Sequence, residues 1–66
     1  MSPRFATMLR RLRKSKGMSQ AALAKKAKVP QGYISELEAG RKKTPGLDVL
    51  QRLARALGVK VTELLE

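Results

Sequence analysis

The sequence predicts an all-α fold, a compact single domain of five short helices, and three observations lead there. Successive segments carry apolar residues at helical spacing. Glycines 17, 40 and 58 stand where those segments stop, the place where a helix ends most readily. Sixty-six residues, 42% hydrophobic with one Phe, one Tyr and no Trp, can build only one modest core, so residues 1–66 read as one domain. Such a core supplies about 3 to 5 kcal/mol, which leaves room for a dimer or a bound ligand as a second source of stability.

The first helix is expected over residues 4–16. Phe5, Met8, Leu9 and Leu12 fall on one face, Arg10, Arg11 and Lys14 point away, and Gly17 closes it. The second, over 20–27, places Leu23, Ala24 and Ala27 on one side, with Ser19 just before it as N-cap. Ala24 matters by being small, because two helices joined by a tight turn cross with their backbones close. The third runs over about 31–39, with Ile34 and Leu37 inward, Val29 plugging the turn and Gly40 ending it. Together the second and third make a helix-turn-helix. After the loop 41–45, Gly46 serves as N-cap for a fourth helix whose apolar stripe is Leu47, Val49, Leu50, Leu53, Ala54 and Leu57, ending at Gly58. Thr62 is expected to cap a final turn carrying Leu64 and Leu65, with Val59 and Val61 ahead of it.

Charge is one-sided. The formal net charge is +10, and residues 1–43 hold twelve Lys and Arg against two acids, whereas 44–66 hold three against three. This asymmetry is the footprint of a polyanionic partner; the plainer alternative is a basic surface that aids solubility. The chain has no Cys, hence no disulfide or thiolate metal site, as expected of a cytoplasmic protein. It has no run of about 18 apolar residues to span a membrane, and its opening Met-Ser-Pro-Arg is too short for a signal peptide.

Enzyme chemistry has little to work with. There is no His and no Cys, and the five acids have ordinary places: Glu38 beside the core, Asp48 in the first turn of the fourth helix, Glu63 and Glu66 at the C-terminus. Glu36 alone is left free, without a base, nucleophile or metal-ligand set beside it. No glycine spacing cradles a phosphate chain, and no cofactor or small-molecule ligand is evident.

At Ser19-Gln20, Leu23-Ala24, Val29, Ile34-Ser35, Glu38, Gly40, Lys43-Thr44-Pro45, Leu53-Ala54 and Leu57-Gly58-Val59 the sequence resembles the lambda-repressor-like, or Cro type, helix-turn-helix family of DNA-binding transcriptional regulators. The likeness covers nearly the whole chain. It implies a five-helix DNA-binding domain, double-stranded DNA with a palindromic operator as partner, a homodimer and a repressor role. It also implies a partly buried ion pair between Arg13 and Glu38, both half-turned toward the core on a helical wheel; two exposed charges are the ordinary alternative.

With Ile34 and Leu37 inward, the third helix leaves Gly32, Ser35, Glu36 and Ala39 outward, with Gln31 on the near flank. Gln31 suits adenine, Glu36 the exocyclic amine of cytosine, and Ser35 either, while Gly32 permits close approach. Ser19 and Gln20, at the start of the second helix, suit a phosphate together with free backbone N–H groups. The resemblance gives Gln20, Gln31 and the Lys43-Thr44 loop the same duties. Tyr33 reaches a phosphate or thymine methyl, or else packs. Arg41 and Lys42 touch phosphate or stay solvated. Val59, Val61, Leu64 and Leu65 form a dimer patch or close the core.

Three positions depart from the family pattern. Lys28 stands where Gly is common; a positive φ there costs about 1 kcal/mol, which Lys tolerates, and the turn is expected to survive. Pro30 replaces a Ser or Thr cap and is expected at the first helical position. Gly46 carries no DNA contact. Two rival classes are an antitoxin whose main partner is a toxin protein, and a membrane-active or RNA-associated protein suggested by the amphipathic first helix.

Overall fold

The computed structural model describes residues 4–65. Met1, Ser2 and Pro3, read above as too short for a leader, and Glu66, assigned to the last helix, lie outside the described residues. Five helices follow in order: α1 (Arg4–Ser15), α2 (Gln20–Ala27), α3 (Gln31–Glu38), α4 (Leu47–Leu57) and α5 (Val61–Leu64). No strand occurs among the described residues.

The core forms where the predicted apolar faces converge. Leu9, Leu23, Ile34, Leu37, Leu53 and Leu64, drawn from all five helices, are its largest fully buried side chains. Helix α2 packs on both α3 and α4, α1 packs on α3 and α5, and α5 closes against α4. Ala24, 3% exposed, sits in α2 between these neighbours and lets the backbones approach, as the tight turn requires.

One device ends four of the helices. Gly17, Lys28, Gly40 and Gly58 all take left-handed φ, between 62° and 75°, and the following N–H reaches back to the last turn. Thus Met18 N–H donates to Arg13 O, Val29 to Ala24 O, Arg41 to Glu36 O and Val59 to Ala54 O, at 2.9–3.1 Å. This satisfies carbonyls that the helix end would otherwise orphan. Lys28 is the one non-glycine with positive φ among the described residues, and the turn is kept.

Five expectations need correction. Leu47 is 63% exposed because, as the first residue of α4, it precedes the turn that meets the core; Ala56 is buried in its stead. Thr62 is not a cap: Lys60 holds that place, and its backbone N–H donates to the Glu63 carboxylate at 3.1 Å. Pro30 is the N-cap of α3 and not its first residue, with ψ of 145°, outside the helical range. Leu64 is fully buried in the protomer, since the single turn of α5 points it inward against α1 and α4, so it cannot join a dimer patch. Glu36 is not free, because Arg41 lies 3.6 Å away. Among the described residues no helix is long and apolar enough to cross a membrane.

Candidate nucleic-acid interface

Helix α3 is held by its inner face and left open on its outer one. Ile34, Leu37 and Glu38 are buried, while Gln31, Gly32 and Ser35 are exposed and Glu36 is half-exposed. The helix starts without a side-chain cap, because Pro30 has none to offer. Pro30 O accepts from the N–H groups of Tyr33 and Ile34 at 3.1 and 3.4 Å, and with no side-chain cap over the first turn the positive end of the helix stays available to an anion. At Gly32 an added Cβ would meet nothing within 4 Å, so the protein's own packing does not require glycine there.

The orientation of α3 is fixed by a buried ionic clamp. Arg13 of α1 donates from Nε to Glu38 Oε2 at 2.6 Å and from Nη2 to Oε1 at 3.0 Å, and its Nη1 donates to Met18 O at 2.8 Å. Gln20 Nε2 adds a third bond to Glu38 Oε1 at 3.0 Å. The pair therefore ties α1, the α1–α2 turn, the start of α2 and the end of α3 together. Burial pushes the Glu38 carboxyl up, but hydrogen bonds from Arg13 and Gln20 and the charges of Arg13 and Arg10 outweigh it, and the net shift is below the ordinary value. For Arg13 the hydrogen bond to Glu38 and its charge raise the pKa against the opposing effect of burial.

Gln20 was assigned to a phosphate contact from sequence. One of its amide N–H groups is committed to Glu38, and the side chain is half-buried; the second amide hydrogen remains. Ser19 Oγ accepts from Ala22 N–H at 3.0 Å, which leaves its hydroxyl hydrogen to donate outward. Tyr33 is partly buried against the core, the packing alternative. Arg41, Lys42, Lys43 and Thr44 are all exposed in the loop after α3.

The structure adds two residues that the sequence reading merely turned away from the core. A shallow cleft of about 300 Å³ is lined by Arg10, Arg13, Lys14, Gln20, Ser35, Glu38 and Ala39, so Arg10 and Lys14 of α1 flank the open face of α3. Exposed cations of α1 thus lie beside Ser35 and Ala39, and exposed Arg41 of the following loop lies beside Glu36. Its single outward acid, Glu36, lies beside Arg41, with side chains 41% and 71% exposed. The signal for Arg10 and Lys14 was their place on the turns beside Arg13, which becomes informative only once Arg13 is known to dock on α3.

Comparison with known proteins agrees with this geometry. The chain is 41% identical over 58 residues to the HTH-type transcriptional regulator DdrOP3 of Deinococcus deserti, covering 88% of this chain and 44% of that protein. It is 34% identical over 58 residues to the regulator SinR of Bacillus subtilis, of which it spans 52%; the chain thus spans about half the length of these two relatives. The N-terminal DNA binding domain of SinR superposes with a TM-score of 0.90 at 31% identity, over 98% of this chain and 94% of that one. The restriction-modification controller protein C.AhdI of Aeromonas hydrophila superposes with a TM-score of 0.87 at 34% identity, over 92% and 91%. Residues 9–64 match the helix-turn-helix family, and the chain belongs to that family, in its lambda-repressor-like form.

Proposed function

We propose that this chain is a DNA-binding transcriptional regulator that lays α3 in the major groove of duplex DNA. The carrying observation is the combination at α3: an exposed polar face, an N-terminus without a side-chain cap, and exposed cations from α1 and from the following loop beside it, with the helix held in orientation by the Arg13–Glu38 clamp. In this reading Gln31, Ser35 and Glu36 contact base edges and Gly32 allows the backbone close. Ser19, Gln20, Arg41, Lys42, Lys43 and Thr44 contact the sugar-phosphate backbone, joined by Arg10 and Lys14. The similarity to the DNA-binding domain of SinR and to the restriction-modification controller protein C.AhdI supports the assignment.

The role proposed is that of a cytoplasmic repressor acting as a homodimer on a palindromic operator. One recognition helix reads only a few base pairs, and two-fold pairing doubles the read. Leu65, 51% exposed, and the still part-exposed Val59 and Val61, six and four residues ahead of it, are the apolar residues proposed for the surface that such a dimer buries.

Salt titration of duplex binding tests the proposal. With about 4 to 6 ionic contacts per protomer, the slope of log affinity against log salt is expected at about −4 or steeper. A flat response, or tighter binding to anionic vesicles than to duplex DNA, would overturn it.

A further inference from the structure

A second basic cleft lies away from α3. It measures about 360 Å³ and is lined by Lys26, Ala27, Lys28, Arg52, Arg55 and Ala56. Four of these six residues are cationic and none is acidic, while buried Ala27 and Ala56 form an apolar floor. It shares no lining residue with the cleft beside α3. Lys26 is six residues beyond Gln20, or about 9 Å along the axis of α2, so the cleft sits at the opposite end of that helix from the proposed DNA contacts.

Arg52 is the informative member. Its Nη1 donates to Lys28 O at 3.1 Å, and its Nη2 lies 3.5 Å from Asp48 Oδ2. Its Nε is buried and has no acceptor among the described residues. A buried N–H without an acceptor is costly. Asp48 is 85% exposed, a loose partner that water screens. If the guanidinium turns away from Asp48, its Nε and Nη2 edge becomes a two-pronged donor, the geometry that matches a phosphate group. Arg55 stands one turn further along the same side of α4, and Lys26 of α2 and Lys28 just after it line the cleft with them as point charges.

We propose that this cleft is a ligand site for a small oligophosphate, either free or as the phosphate chain of a nucleotide, and that it is distinct from the DNA-binding face. Four cations around so small a space, with an arginine whose Nε lacks an acceptor, call for several anionic oxygens in one molecule. The carbonyl end of α2 opposes an anion by itself, but Arg52 covers Lys28 O and masks it.

The test is titration of the full chain with tripolyphosphate and with ATP, followed by amide NMR shifts. Shifts are expected to concentrate at Lys28 and Ala56. Lys26→Gln with Arg55→Gln should weaken binding by about tenfold or more, through loss of two charge-assisted contacts, whereas Arg11→Gln with Lys16→Gln, equal in charge but distant, should change it by less than about twofold. Asp48→Asn should tighten binding by freeing Arg52. Equal affinities for the two probes mark a free oligophosphate, and tighter ATP binding marks a nucleotide whose base rests on the alanine floor. Equal losses in the two double variants, or displacement of the probe from these residues by duplex DNA, would overturn the proposal.

Discussion

Arg13 and Glu38, 25 residues apart in sequence, meet through two hydrogen bonds of 2.6 and 3.0 Å, with side chains only 10% and 4% exposed. Breaking one side of such a pair leaves an uncompensated buried charge. Arg13→Met is therefore expected to destabilise the fold by about 3 kcal/mol, whereas Arg10→Met, at an exposed position, should stay within about 0.5 kcal/mol. Urea midpoints of the two variants decide this; equal midpoints would show that the clamp adds nothing.

The same pair sets a pH dependence. Glu38 titrates lower in the fold than in the unfolded chain, so its contribution is fully present above the unfolded carboxyl value of about 4.3 and is lost as pH falls through the lower folded value. Arg13 stays charged throughout. Between about pH 5 and pH 3 the urea midpoint of the natural protein should fall more steeply than that of Glu38→Gln. Parallel slopes would contradict the assignment.

Gly32 separates stability from function. It lies within α3, an added Cβ meets nothing, and its φ is not positive, so Gly32→Ala should stabilise the fold by up to about 1 kcal/mol. If glycine serves close approach to DNA, the same variant melts higher yet binds duplex more weakly. A variant that melts lower would mean that α3 is not helical at this position.

The two C-terminal leucines should behave in opposite ways. Leu64→Ala opens a cavity in the core and should cost about 2 to 5 kcal/mol, enough to unfold much of so small a domain. Leu65→Glu alters an exposed side chain, and should shift stability by less than about 0.5 kcal/mol while lowering cooperative operator binding. Unchanged cooperativity in Leu65→Glu would move the dimer contact elsewhere, with exposed Leu47 as the next surface to test.

Most helix boundaries and caps were legible because they are local, although the caps at Pro30 and Lys60 were each misplaced. Ser19 caps α2, and Gly17, Gly40 and Gly58 end helices where the apolar spacing stops. Even at Lys28 the turn was expected to survive, since Lys tolerates a positive φ. The failures at Leu47 and Leu64 depended on how separate segments dock. Leu64 and Leu65 are neighbours of like chemistry, and only the docking of a single-turn helix decides which is buried. Leu47 fits the periodicity of α4 but lies ahead of the part that meets the core. At the candidate site, the outward face of α3 followed from Ile34 and Leu37 pointing inward. The flanking positions of Arg10 and Lys14 required the docking of α1 on α3, and the engagement of Gln20 by Glu38 required that of α2 on α3, which no local pattern encodes; the Glu36–Arg41 pair depended on the path of the chain just after α3.

Base reading by α3 is the central claim, and selection of bound fragments from random duplex DNA, repeated with variants, tests it most directly. The natural protein should enrich a palindrome. Gln31→Ala and Glu36→Ala should each relax preference at particular positions of both half-sites by about 1 to 3 kcal/mol, whereas Lys43→Ala should weaken all sequences alike. Enrichment of the same palindrome with undiminished preference by the Gln31 and Glu36 variants would contradict the placement of α3 in the major groove.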